Sequence, residues 1–152
     1  MNLQFNIAEM RHLVDIVKLL AEDKLGTTRE NFKDPLPETY ISAFMKISSD
    51  SSQELIVVEN ENKEVIGTLQ LSFIQYLTYQ GGIRAQKEAV RIREIDRGKG
   101  YGVLLFQWAI NRAKERGAHL LQLSSDKRRP EAIKFYEKLG FVSSHEGMKM
   151  LF

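Results

Sequence analysis

The feature that most constrains this chain is an ordered unit within residues 89–123: a strand, a glycine-rich turn, a long amphipathic helix and a second apolar strand. Ala89-Val90-Arg91-Ile92 alternates like the end of a strand, and Arg97-Gly98-Lys99-Gly100-Tyr101-Gly102 makes the turn. From Val103 to Arg116 the spacing is helical. Tyr101, Leu104, Leu105, Trp108, Ala109 and Ala113 recur on one side, an apolar stripe made to face a sheet. Gly117 caps this helix and Leu120 to Leu123 reads as a buried strand. A strand that returns through a helix pairs in parallel, by a right-handed crossover. The turn has two readings. Glycines let the backbone approach a ligand, the first N–H groups of a helix have no partner inside it, and Arg97 and Lys99 add positive charge. Together these describe a pyrophosphate cradle. The plainer reading is a tight turn with two solvated basic side chains.

The remainder of the chain supplies a sheet for that unit to join. Leu3 to Ile7 reads as a short strand, and Leu13, Val14, Val17, Leu20 and Ala21 predict a helix from Met10 to about Lys24. Gly26 to Pro37 is irregular, and Tyr40, Ile41, Phe44 and Met45 predict a second short helix. Leu55 to Val58 suits a buried strand, Val65 to Ile74 alternates, and Gly81-Gly82 suits a hairpin turn. In the strand that follows, Glu88, Val90 and Ile92 alternate against Ala89, Arg91 and Arg93. Pro130 opens a last helix with Ala132, Phe135, Tyr136 and Leu139 on one face. Gly140 ends it, Phe141 folds back onto its last turn, and Val142 onward predicts one or two closing strands. The expected architecture is a single α/β domain over residues 1–152 with a mixed sheet.

Composition narrows the chemistry. A net charge of only +2 implies no strong field for nucleic acid or anionic membrane, although Lys127-Arg128-Arg129 is locally basic. The absence of cysteine removes disulfides, thiolate catalysis and cysteine-ligated metals, and no other residues are spaced as metal ligands. The first residues lack a signal-peptide pattern, and no run approaches the ~18 apolar residues of a membrane span, so a cytoplasmic domain is expected.

Three segments resemble the GNAT superfamily of acyl-CoA-dependent N-acyltransferases. Val90-Arg91-Ile92 with Arg97-Gly98-Lys99-Gly100-Tyr101-Gly102 is similar to the family's strand and [Arg/Gln]-x-x-Gly-x-[Gly/Ala] loop. Glu115-Arg116-Gly117 closes the helix in the family manner, and Ala132 to Phe141 resembles its A-x-x-F-Y-x-x-x-G-F segment. The resemblance implies a mostly antiparallel sheet with a parallel β4–β5 pair splayed around acyl-CoA, flanked by about four helices. It implies N-acetylation of a small-molecule or peptide amine with acetyl-CoA as co-substrate, by direct attack in a ternary complex. A non-catalytic acyl-CoA-binding regulatory module is the alternative. Dimers are common in such families, so the resemblance is compatible with a homodimer.

The resemblance also distributes roles. Acyl transfer from a thioester needs a neutral amine, a donor to the carbonyl oxygen and a proton for the departing thiolate. Glu88 is the candidate base, through water, and its face is expected to be the one shared with Val90 and Ile92, where burial would raise its pKa. Its other reading is a strand glutamate paired with a basic neighbour. Tyr136 is the candidate acid, or simply part of the apolar face of its helix. The cofactor is expected to rest on Arg97, Gly98, Lys99, Gly100, Tyr101 and Gly102, with its pantetheine along Val90, Arg91 and Ile92; Tyr101 is also a packing position. Arg129 stands where relatives often have Asn, and either contacts a cofactor phosphate or is solvated. His12 and His119 read as surface or edge positions, and His145 as a residue near the substrate end.

Overall fold

A computed structural model describes residues 2–152. Five strands lie in sequence order across one sheet: β1 (Gln4–Ile7), β2 (Gln53–Glu59), β3 (Val65–Gln75), β4 (Ile83–Ile92) and β5 (Ala118–Gln122). The first four are antiparallel, and β5 is parallel to β4, as the helical connection requires. On one face lie α1 (Leu13–Ala21) and α2 (Glu38–Ser48). Leu13, Ile16 and Val17 of α1 and Phe44 of α2 bury there with Val57 of β2. On the other face α4 (Tyr101–Glu115) presents Tyr101, Leu105, Ala109 and Ala113 to Ile56, Leu69, Leu71 and Ala85. These four and the partly buried Trp108 belong to the stripe read from the sequence, whereas Leu104, placed by the same spacing, is 49% exposed; burial of the others stabilises that face. The last helix, α5 (Pro130–Lys138), starts with Pro130 at its first turn, and a single turn, α3 (Thr78–Gly81), joins β3 to β4.

Three expectations are corrected. A β-bulge interrupts the pairing of β3 with β4: Thr68 opposes Arg91 and Gln70 opposes Glu88, so one residue of β3 faces Ala89 and Val90 together. Ala89 takes a left-handed φ of 50° to make it. The strict alternation expected across Glu88, Val90 and Ile92 therefore fails. Ala85, Val90 and Ile92 pack against the α4 cluster, and Lys87 lies over the α4 ring of Phe106 on that face too. Glu88 and Arg91 fall on the α1/α2 face. His12 is the second correction, being buried rather than at the surface. Its Nδ1 accepts the Glu9 backbone N–H at 2.9 Å, and its Nε2 is 3.7 Å from the buried Glu59 carboxylate. Third, residues 142–152 form no helix or strand, where closing strands were expected.

Candidate active site

The parallel pairing between β4 and β5 is short. It joins Ile83–Gln86 to Ala118–Gln122 and then stops, while β4 runs on to Ile92. From Lys87 onward, β4 has no strand on its β5 side among the described residues, which leaves a wedge between the diverging chains. Val90 and Ile92 lie along that open edge.

The glycine loop sits where β4 leaves the wedge. Gly98 and Gly100 adopt left-handed φ values of 76° and 83°, which glycine takes without steric cost, and nothing lies within 4 Å of where either would carry a Cβ. Gly100 is the N-cap of α4, where its carbonyl accepts the Val103 N–H at 3.1 Å, so the positive end of the helix opens onto this clear space. The basic residues are braced. Lys99 Nζ donates to Asp96 Oδ1 at 2.8 Å, Arg93 Nε donates to Asp96 Oδ2 at 2.6 Å, and Arg97 Nε donates to the Ile92 carbonyl at 3.1 Å. The hydrogen bond from Lys99, and then that from Arg93, hold the Asp96 carboxyl below the usual range against the opposing effect of burial. Tyr101 is buried in the core, and Gly102 lies against Phe135, whose Cζ would be 3.6 Å from a Cβ there. An open, glycine-lined helix start with cations beside it fits the diphosphate of an acyl-CoA.

Tyr136 packs in an aromatic cluster, with ring centroids 5.4 Å from Phe106, 5.7 Å from Phe135 and 6.0 Å from Phe141. Phe141 reaches it because Gly140 turns left-handed (φ 96°) and the Phe141 N–H closes on the Tyr136 carbonyl at 3.0 Å. Burial pushes the Tyr136 phenol above its ordinary pKa, while the charges of Arg129 and Arg91 pull it down less. Under the same rings lies a residue the sequence reading did not single out. Lys87 is 7% exposed, with its ammonium 5.3 Å from the Tyr136 centroid and 5.4 Å from that of Phe106. Desolvation lowers its pKa from 10.5 to about 8, and Glu88 opposes this.

On the other face, Glu88 is exposed and accepts from Gln86 Nε2 at 2.9 Å, so the expected burial of its carboxylate is absent. Arg91 and Arg129 instead meet at Asp23, in the segment after α1. Arg129 Nη2 donates to Asp23 Oδ2 at 2.5 Å and Arg91 Nη2 is 3.5 Å from the same oxygen. Arg129 is thus held by a carboxylate, with its side chain 36% exposed. Burial raises the Asp23 pKa, but the hydrogen bond from Arg129 and the charges of both arginines outweigh it and leave the carboxyl low. Arg91 Nη1 donates to the Val90 carbonyl at 2.7 Å, and its Nε is buried with no hydrogen-bond partner. Two guanidinium groups share one carboxylate. His119 and His145 stand away from this cluster, His119 beside Ile83 and Tyr79, and His145 beside Ser144.

The structure therefore brings Val90, Arg91, Ile92, the Arg97–Gly102 loop, Arg129 and Tyr136 around one wedge, with Glu88 on its α1/α2 side. The sequence signal that could have found Lys87 is its spacing from Ala85, two residues apart on the face that packs on α4. Asp23 offered no local signal, because its partners come from 68 and 106 residues further along the chain. Among the described residues no group of His, Cys, Asp and Glu could hold a metal ion, and no helix is long and apolar enough to cross a membrane.

A mixed sheet with a splayed parallel pair, a glycine loop at the splay and an F-Y helix packed beside it define an acyltransferase of the GNAT class, and the chain belongs to the acetyltransferase (GNAT) family, whose model matches residues 15–141. A crystal structure described as a transcriptional regulator from Bacillus halodurans C-125 is 50% identical, with a TM-score of 0.96 over 99% of this chain and 100% of that one. An aminoalkylphosphonate N-acetyltransferase from Salmonella typhimurium is 33% identical over 84 residues, 55% of this chain and 54% of that protein, so the match spans about half of that relative's length. An L-methionine sulfoximine/L-methionine sulfone acetyltransferase from Pseudomonas paraeruginosa is 25% identical over 87% of this chain and 77% of its own.

Proposed function

We propose that the chain is an acetyl-CoA-dependent N-acetyltransferase that acetylates the primary amine of a small molecule, by direct transfer in a ternary complex. The observation that carries this is the wedge between β4 and β5, with the Arg97–Gly102 loop at its mouth and Tyr136 packed beside it. Acetyl-CoA, when bound, supplies the activated acetyl group. The loop and Arg97 hold its diphosphate, and the edge of β4 at Val90, Arg91 and Ile92 pairs with its pantetheine. Glu88, exposed on the α1/α2 side, takes the proton from the acceptor ammonium through water. A backbone N–H of β4 serves the carbonyl oxygen. Tyr136 is protonated at neutral pH as an ordinary phenol is, burial raises its pKa further, and its hydroxyl gives the proton that the departing sulfur needs.

The finer reading of the acceptor is an amine that also carries an acidic group. Arg91 supports it, with a buried Nε that lacks a partner and one carboxylate shared with Arg129. The names of the Salmonella and Pseudomonas relatives, an aminoalkylphosphonate enzyme and a methionine sulfoximine/sulfone enzyme, point to small amines of this kind. A second reading, a regulatory module that binds acyl-CoA without turnover, is favoured by the description of the Bacillus halodurans protein as a transcriptional regulator.

A melting curve with and without acetyl-CoA tests the reading first. Ligand at a hundred times its dissociation constant adds about 2.7 kcal/mol, a rise of about 5–10 °C for a chain of this size. No rise at millimolar acetyl-CoA refutes the reading. A rise with no release of free CoA, across amines with and without carboxylate or phosphonate, selects the regulatory module. With turnover, Arg91→Gln raises the KM of acidic amines and leaves that of acetyl-CoA unchanged.

A further inference from the structure

Lys87 sits at the closed end of the wedge. Gln86 and Gln122 are the last residues that pair β4 with β5, so Lys87 is the first position past that pairing. Its side chain leaves β4 on the α4 side, and its ammonium lies 5.4 Å from the Phe106 ring of α4 and 5.3 Å from the Tyr136 ring of α5. Among the described residues no carboxylate and no hydrogen-bond acceptor holds it, unlike Lys99, whose Nζ donates to Asp96. The order of an acyl-CoA's parts then decides what comes near it. With the diphosphate at Arg97–Gly102 and the pantetheine along Ile92 to Val90, the thioester reaches the closed end, on the side where Lys87 and Tyr136 lie. An amine belonging to the chain itself waits where an acetyl group would arrive.

We propose that Lys87 is a self-acetylation site, which takes the acetyl group of bound acetyl-CoA when no acceptor amine is present; the inference rests on the acetyl-CoA reading above. The step balances with no further reactant. The neutral Nζ attacks the thioester carbonyl carbon, an N–C bond forms and the C–S bond breaks. The proton lost by Nζ passes to the departing sulfur, giving acetyl-lysine and free CoA. Two properties favour Lys87 over lysines at the surface. Desolvation brings its pKa to about 8, which Glu88 opposes and Arg91 and Arg129 assist. About a quarter of it is then neutral at pH 7.5, against about one in a thousand for an ordinary lysine. The product also suits its surroundings: an acetylated Lys87 carries no charge beneath the two rings, and no carboxylate loses a partner.

The purified full chain is incubated with acetyl-CoA and no amine, digested with trypsin and read by mass spectrometry. Acetylation blocks cleavage at Lys87, so the modified site appears as the peptide Ala85 to Arg91 with one acetyl mass added. The expected result is labelling of Lys87 that saturates with acetyl-CoA and is about tenfold or more faster than that of Lys127, whose side chain is 92% exposed. Gly100→Ala, which strains the loop at a φ of 83°, should slow the labelling of Lys87 and leave that of Lys127. Labelling of Lys87 no faster than that of Lys127, or equal in the parent and Gly100→Ala, overturns the proposal. The melting curve separates its failure from that of the cofactor reading. A rise in Tm with acetyl-CoA beside an unlabelled Lys87 overturns self-acetylation alone, whereas no rise in Tm removes both.

Discussion

Lys87 gives the sharpest test of how the site is built. Its ammonium is 7% exposed under two aromatic rings, and desolvation brings its pKa from 10.5 to about 8. Since a tenfold change in proton affinity is worth about 1.4 kcal/mol, holding this lysine charged in the folded state costs about 3 kcal/mol at neutral pH. The sign follows from the direction of the change. A folded-state value below the unfolded one means that the penalty is complete below pH 8. It fades as pH rises from about 8 to 10.5, where the unfolded lysine also loses its proton. Lys87→Met keeps the length of the side chain and removes the charge, at the loss of a cation–π contact worth about 1 kcal/mol. The variant is therefore expected to be about 2 kcal/mol more stable than the parent at pH 7, a rise in Tm of about 4–8 °C. That advantage should shrink to nearly nothing by pH 10.5. Paired thermal melts from pH 6.5 to 10.5 measure it. A variant no more stable than the parent at pH 7, or one whose advantage does not change with pH, would refute the reasoning. Lys87 also lies 5.3 Å from the Tyr136 ring, so under the proposed transfer the stabilised variant should acetylate more slowly.

Three other expectations follow from the same geometry. Gly100→Ala meets no neighbour but must hold φ at 83°, which costs about 1–2 kcal/mol. It should lower Tm by a few degrees and abolish most of the rise caused by acetyl-CoA; an unchanged rise would show that the cofactor does not touch the loop. Tyr136→Phe should lower kcat by about 10²–10⁴-fold with the KM of acetyl-CoA unchanged, and in the parent the loss of activity at high pH should lie above the ordinary tyrosine range, because burial raises the phenol. Glu54, buried on β2, accepts from Arg112 at 2.7 Å and Arg116 at 2.5 Å, and Glu54→Gln should cost about 3 kcal/mol. Burial raises its pKa but the two arginines win, so this stabilisation is complete above pH 4.5 and is lost as pH falls through the lower folded-state value. Melts between pH 6 and 3 should show parent and variant converging.

What could be read from the sequence was what local spacing encodes. The α4 stripe, the stop at Gly117, the return of β5 and the fold-back of Phe141 all depend on residues a few positions apart. The α4 stripe, apart from the exposed Leu104, and the parallel return of β5 formed as expected. The site's inner arrangement depends on one residue that carries no such mark. Ala89 adopts a conformation that favours glycine, and only its neighbours in β3 compel the bulge. Counting by twos past Ala89 puts Glu88 on the wrong face and passes over Lys87 altogether. The pairing of Asp23 with Arg91 and Arg129 joins distant segments and is equally silent in the sequence.

The bulge has a chemical consequence as well as a structural one. In a regular strand, Lys87 and Arg91 would share one face, and Glu88 would sit with Val90 on the other. The extra residue at Ala89 reverses the second half of β4. Glu88 is left on the α1/α2 side with Arg91, and Lys87 on the α4 side near Tyr136. Direct acyl transfer needs a proton removed from the amine and a proton delivered to the sulfur, at opposite ends of the reacting group. Under the proposed transfer, a strand that carries a carboxylate on one face and a cation with a phenol on the other, at adjacent positions, meets that need, and the charge of Glu88 partly offsets the desolvation of Lys87. On this reading the left-handed Ala89 is the strained residue on which the site turns, and a sequence pattern that looked like simple alternation concealed it.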